Sequence, residues 1–192
     1  MLYLIWNQKS FFVEEVIKLN PFNSEWFMWC DIGCCRNGPE EMKQLSTFPN
    51  IKTIKEKLPR NKMCLFAINS FTLEEKTEAE QIVKEAQGNP HHLILPKKLQ
   101  NIPTITRDII IPTIMGPYPH DRIQGTAFLG DRQAWAKWIF LYRFHLKQFC
   151  EKGWFGGKDQ NIMTALCLWY KDLVHVVAVP HVNWFWFRDY LK

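Results

Sequence analysis

Residues 25–36 read Glu-Trp-Phe-Met-Trp-Cys-Asp-Ile-Gly-Cys-Cys-Arg, and the rest of the chain can be arranged around them. Trp26–Cys30 is an unbroken apolar run, too short for a membrane span and too continuous for a half-exposed strand. It therefore predicts a strand buried on both faces, in the middle of a mostly parallel sheet. The run stops at Asp31. In open α/β sheets ligands collect outside the carboxyl ends of the strands, so this carboxylate is a candidate site residue, the alternative being a side chain that merely caps or turns the chain. Gly33 permits a tight turn or a close backbone approach, and Arg36 is near enough to offer a planar fork of donors to an anion.

The chain has 192 residues and no composition break, which favours one domain. Charged residues make up 22%, within the range of ordinary soluble proteins, while nine Trp and fourteen Phe predict a core rich in rings. A formal net charge of +5 with no Lys/Arg run of five leaves nucleic acid without an electrostatic footprint. No segment approaches the length of apolar sequence that a membrane helix needs. The first residues lack the basic flank and cleavage site of a signal peptide, so a reducing, cytoplasmic setting is expected. Of the six cysteines, Cys30, Cys64, Cys150 and Cys167 lie among apolar residues and read as buried thiols. Cys34 and Cys35 have no partner pair at zinc-finger spacing.

Working outward, residues 2–6 read as a short strand. Phe12, Val13, Val16, Ile17 and Leu19 then recur at helical spacing until Asn20-Pro21. Pro39 with Glu40 and Glu41 opens a short helix. Residues 63–68 are a second buried-strand candidate, and Thr72-Leu73-Glu74-Glu75 is a capping box for a charged helix. Residues 91–120 carry five prolines and predict irregular loops with one strand near residues 108–111. Residues 123–129 read as a strand interrupted by Gly125, and Asp131 as the cap of a long helix with the apolar stripe Trp135, Trp138, Tyr142, Leu146 and Phe149. The turn Gly156-Gly157-Lys158-Asp159-Gln160 leads into another helix. Residues 174–179 form a last strand, followed by Pro180, His181 and the aromatic residues Trp184, Trp186 and Phe187.

These pieces together resemble the HtrL/YibB family, a bacterial group regarded as glycosyltransferases or glycosyltransferase-like proteins of the GT-A kind. The resemblance is carried by Tyr3-Leu4-Ile5-Trp6-Asn7, Phe11-Phe12-Val13, Leu19-Asn20-Pro21-Phe22-Asn23-Ser24 and Trp29-Cys30-Asp31-Ile32-Gly33-Cys34 ending at Arg36. Ile123-Gln124-Gly125 and Gly157-Lys158-Asp159-Gln160 also match. It implies a nucleotide-sugar donor and a glycan or lipid-linked acceptor. It also implies a Mn²⁺ or Mg²⁺ ion held against the donor diphosphate by Asp31, the first carboxylate of an Asp-x-Asp pair whose second position is here Gly33. His181 is a candidate to complete that metal site, against an ordinary surface histidine. Gln124 and Gly125 would line the acceptor side, Lys158 would screen phosphate charge, and Asp159 with Gln160 would position sugar hydroxyls. For Asp159 the competing role is a plain helix cap. GT-A domains carry a nucleotide-binding β-α-β half before the metal strand, and only one strand and one helix are expected here. This predicts a single GT-A-like domain over residues 1–192 that is truncated at its N-terminal side, degenerate, or completed by a partner chain. A non-catalytic module binding a glycan or a protein through Trp184, Trp186 and Phe187 is the alternative function.

Overall fold

The computed structural model describes residues 2–35, 38–86, 122–179 and 185–192. Helix α1 spans Leu2–Leu19, followed by strand β1 (Trp26–Cys30), a 3₁₀ turn (Ile32–Cys35) and helices α2 (Pro39–Gln44) and α3 (Ile51–Lys57). Next come β2 (Met63–Ala67), α4 (Leu73–Glu85), β3 (Ile123–Asp131), α5 (Arg132–Glu151), α6 (Asp159–Trp169), β4 (Val174–Ala178) and the short α7 (Phe187–Tyr190). The strands form one sheet in the order β1-β3-β2-β4. One core lies beneath α1, α4, α5 and α6, with Trp135, Trp138, Tyr142 and Phe128 at its centre. A second core, built on Phe66, Leu129, Trp186 and Phe187, lies on the other face under α3 and α7. The described residues therefore form an α/β architecture with helices on both faces of a four-stranded sheet.

The sheet is mixed, and this corrects the expectation of a mostly parallel one. Among the described residues, β3 runs antiparallel to both β1 and β2, and only β2 and β4 pair in parallel. β1, β2 and β4 thus point the same way with the reversed β3 inserted among them. Strand β1 lies at the sheet edge rather than in the middle. Its continuous apolar run has a different cause: Phe27 and Trp29 pack on the first core while Trp26, Met28 and Cys30 pack on the second. An edge strand covered on both faces carries the same pattern as a central one. β2 is the strand buried along its whole length.

The expected strand over residues 2–6 is instead the first turns of α1. An apolar run of that length is compatible with either element, and here the helix wins because Trp6, Lys9, Ser10 and Val13 fall on one face at i, i+3, i+4 and i+7. That face turns inward and buries Lys9, Ser10 and Val13, while Leu4, Phe12, Val16 and Leu19 remain exposed. Trp138 Nε1 donates to Ser10 Oγ at 3.1 Å, and Tyr142 Oη donates to Asn7 Oδ1 at 2.8 Å, so α1 is docked on α5 partly through polar contacts. Asn20 ends the helix with a positive φ of 31°, its N–H still donating to Val16 O at 2.8 Å.

Several local expectations hold in detail. Thr72 makes the reciprocal capping box with Glu75. Asp131 caps α5, accepting from Ala134 N at 2.9 Å. Trp186 and Phe187 do not form a stacking surface, because both are buried against Phe66. Among the thiols, Cys64 and Cys167 are buried as expected, but Cys30 is only half-buried and Cys150 is exposed. No described helix is long and apolar enough to cross a membrane. The strand expected near residues 108–111, and Trp184, lie outside the described residues.

Candidate functional site

The site lies where β1 ends and β3 begins. Asp31 follows the last residue of β1, and its N–H donates to Thr126 O at 2.7 Å, which ties the two strands together at this point. Between the pairings Leu65–Phe128 and Ala67–Ile123, two steps along β2 oppose five along β3. The extra residues make a bulge, a device that re-aims side chains near sites. It contains Gly125. A Cβ built on Gly125 would lie 3.0 Å from Asp159 Oδ2 and 3.3 Å from Oδ1, so the missing side chain is what lets the start of α6 approach the strand.

Asp31, Gly125, Thr126, Asp159 and Gln160 line one cavity of about 190 Å³ together with Trp6 and Lys9. At its centre is the ammonium of Lys9, a residue only 6% exposed. Lys9 Nζ donates to Gly125 O at 2.7 Å and lies 3.0 Å from Asp159 Oδ2 and 3.6 Å from Asp31 Oδ2. The contact with Asp159 is a close ion pair whose angle falls short of a well-aligned hydrogen bond. Asp159 Oδ1 accepts from the N–H of Gln160 at 2.9 Å, and Asp31 Oδ1 accepts from Trp29 Nε1 at 2.7 Å. Burial pushes the Asp159 carboxyl above its ordinary range. The Lys9 ammonium and the Gln160 N–H oppose that shift, and the nearby Asp31 adds to it. Burial and the Asp159 charge together push the Tyr142 phenol up.

The loop before α6 is fixed from α1. Asn7 Nδ2 donates to Gly156 O at 2.7 Å and Gly157 O at 3.2 Å, so the helix that carries Lys9 also positions the turn that carries Asp159. Gln160 Nε2 donates to Ile123 O at 2.9 Å, binding α6 to β3 and committing a donor that the sequence assigned to substrate. Gln124 is wholly buried and does not line the cavity, and neither does Lys158, whose backbone caps α6. Arg36 and His181 lie outside the described residues. Lys9 and Trp6 were missed because residues 2–6 read as a strand. Read as a helix, the inward register of Trp6, Lys9, Ser10 and Val13 places a lysine on a core-facing stripe, and that was the available signal.

A larger concavity of about 920 Å³ lies elsewhere, between α4, α5 and α6. Its walls are chiefly Val83, Phe140, Leu141, Leu168 and Leu173, and its rim charges Glu80 and Lys171 are exposed and paired at 2.6 Å. Size and chemistry disagree here. The buried charges converge in the small cavity, and site assignments follow converging charges.

A divalent ion takes several oxygen ligands at about 2.0–2.6 Å. The oxygens that converge in this cavity, from Asp31, Asp159 and Gly125, converge on the Lys9 ammonium, so the described residues do not fit a resident divalent ion. No group of three His, Cys, Asp or Glu side chains able to hold a metal occurs among them.

The molecule is thus an α/β protein with a buried carboxylate–ammonium cluster at the end of a mixed sheet. Residues 2–95 match the model of a family described as a bacterial protein of unknown function (HtrL_YibB), which supports the resemblance drawn from the sequence. The matched part carries Lys9 and Asp31 and stops short of Gly125 and Asp159. Comparison with curated proteins finds no match, and comparison with solved structures finds none either.

Proposed function

We propose that this chain is a glycosyltransferase of the HtrL/YibB kind, moving a sugar from a nucleotide-sugar donor to a glycan or lipid-linked acceptor in the cytoplasm. The observation that carries the reading is the convergence of Asp31, Gly125 and Asp159, separated by many residues in sequence, on one cavity at the strand ends. A pair of carboxylates beside an aromatic wall suits polyhydroxylated ligands. Carboxylate oxygens accept from sugar hydroxyls, and Trp6 offers an apolar ring face. The cavity is smaller than the roughly 300–1,000 Å³ usual for whole ligands, so it takes a sugar portion rather than a complete nucleotide-sugar. Asp159 then orients a hydroxyl of that sugar, and Asp31, one-third exposed at the cavity mouth, lies toward the incoming group.

A glycan-binding module without transfer is the second reading, favoured by one feature. Asp159 is already ion-paired and nearly sealed, which suits recognition as well as chemistry. Donor hydrolysis and sugar transfer, measured over a panel of nucleotide-sugars for the wild type and the Asp31→Asn and Asp159→Asn variants, separate the two. The transferase reading expects turnover of at least one donor and a loss of about 10²–10³-fold in Asp159→Asn. A folded wild type that binds a glycan and consumes no donor supports the module instead.

A further inference from the structure

The Lys9 ammonium faces three oxygens, one through a hydrogen bond and two through ion pairs. An ammonium has three N–H donors, and Lys9 has three oxygen neighbours, Gly125 O at 2.7 Å, Asp159 Oδ2 at 3.0 Å and Asp31 Oδ2 at 3.6 Å. All three come from different elements: the bulge of β3, the first turn of α6 and the end of β1. Trp29 flanks the group with its ring centroid 6.0 Å from Nζ, a contact that favours a cation at that spot. A lysine this buried is almost never found unpaired, and here both of its ionic partners are carboxylates of the same cavity. The position is also the one that an ion bridging Asp31 and Asp159 would have to take, and two cations cannot share it.

We propose that Lys9 is the built-in cation of this site, a positioning residue that holds the carboxylates of Asp31 and Asp159 aimed at one point, so that the site works without a divalent metal. The proposal builds on the carbohydrate reading in one respect, the ligand. Two carboxylates and one ammonium leave the cluster with one net negative charge, so it suits a neutral hydroxyl-bearing ring and disfavours a diphosphate. Lys9 faces the two carboxylates and acts through them. In this arrangement the diphosphate of a donor sits away from the cluster, and the sugar sits against it.

The test uses Mn²⁺ alone as the probe, on the full chain, read by the paramagnetic resonance signal of the free ion and by melting temperature. Wild type is expected to leave the signal of Mn²⁺ unchanged at up to about 1 mM, the weak end of protein sites for divalent ions. Lys9→Met, which leaves the two carboxylates facing each other, is expected to melt several degrees lower and to be raised again by Mn²⁺. That rise should vanish when Asp31→Asn is added. Lys9→Arg, which keeps a cation, is expected to stay insensitive to Mn²⁺. Saturable Mn²⁺ binding by wild type that Asp31→Asn abolishes overturns the proposal, and this pair decides the matter even if Lys9→Met does not fold. A Lys9→Met protein that melts with wild type overturns it as well. Since no sugar enters these measurements, either outcome leaves the transferase reading standing. Failure to consume any nucleotide-sugar would remove that reading and leave the cation assignment intact.

Discussion

The two ends of β3 carry the same chemical arrangement put to different uses. At its C-terminal end Asp131 is buried at the start of α5, and at its N-terminal end Gly125 faces Asp159, buried in the first turn of α6. Asp131 spends both oxygens on backbone: Oδ1 accepts from Ala134 N at 2.9 Å and Oδ2 from Asn61 N at 2.7 Å. Asp159 spends one oxygen on backbone and turns the other toward Lys9 inside a cavity. A carboxylate saturated by main-chain donors is holding the fold together. One that faces a buried ammonium at the wall of a cavity keeps an oxygen that no main-chain donor claims. What separates a cap from a candidate site residue is therefore where the second oxygen points, and helix position alone does not reveal it.

The most damaging change should be Lys9→Met. Removing one partner of a buried ion pair typically costs about 3–5 kcal/mol, because the remaining charge stays buried without compensation. Urea unfolding should show the loss, and it should shrink as pH falls, since without the ammonium Asp159 protonates more readily and protonation relieves the uncompensated charge. A loss that is the same at neutral and acid pH would mean that packing of the lysine stem, rather than its charge, is what matters.

Asp131→Ala should come next, at about 2 kcal/mol, roughly half from the helix cap and half from the hydrogen bond to Asn61 N. Its midpoint in urea should drop while the properties of the site are unchanged. Gly125→Ala should cost about 1–3 kcal/mol, since the new methyl meets Asp159 at 3.0 Å and the carboxylate must give way. Unlike Asp131→Ala, it should impair ligand binding along with stability. Intact binding in a destabilised Gly125→Ala protein would place the ligand away from Asp159.

The smallest effect expected is on the pH dependence of stability. Burial holds the folded carboxyl of Asp159 above its ordinary value, so in the window between that value and the raised one the folded state binds more protons than the unfolded state. Stability contributed by this group is therefore present at low pH and lost as pH rises through that window. Asp159→Asn should remove this slope, as read from unfolding midpoints across the acidic range. A slope that survives the substitution belongs to another carboxylate.

Much of this contrast was legible in the sequence, and the illegible part has identifiable causes. Asp131 before a Trp-bearing amphipathic stretch, and Thr72 three residues before Glu75, announce caps because side-chain oxygens and orphan N–H groups meet at fixed spacing. The four strands are visible as apolar runs, and Asp31, Gly125 and Asp159 stand at their ends or at a helix start. Strand direction is not visible, because alternation and continuity are the same read either way. The reversal of β3 was missed for that reason, and the edge position of β1 because side chains on both of its faces pack on a core. Helix α3 escaped because its signal is short, although Asn50 caps it through the N–H of Lys52 at 2.9 Å. Lys9 was hidden most effectively. Its helix buries Asn7, Lys9 and Ser10 beside Val13 and exposes Leu4, Phe12, Val16 and Leu19, which blurs the pattern from which amphipathic helices are read.

On this reading Asp159 faces a sugar, whereas Asp131 serves the fold. Calorimetric titration of wild type, Asp159→Asn and Asp131→Asn with a panel of nucleotide-sugars and the corresponding nucleotide diphosphates tests it directly. At least one nucleotide-sugar is expected to bind wild type and Asp131→Asn alike. Asp159→Asn should weaken that binding by about tenfold or more, the equivalent of one charge-assisted hydrogen bond. Equal affinity in Asp159→Asn and wild type, or no binding of any nucleotide-sugar by a folded wild type, would contradict it.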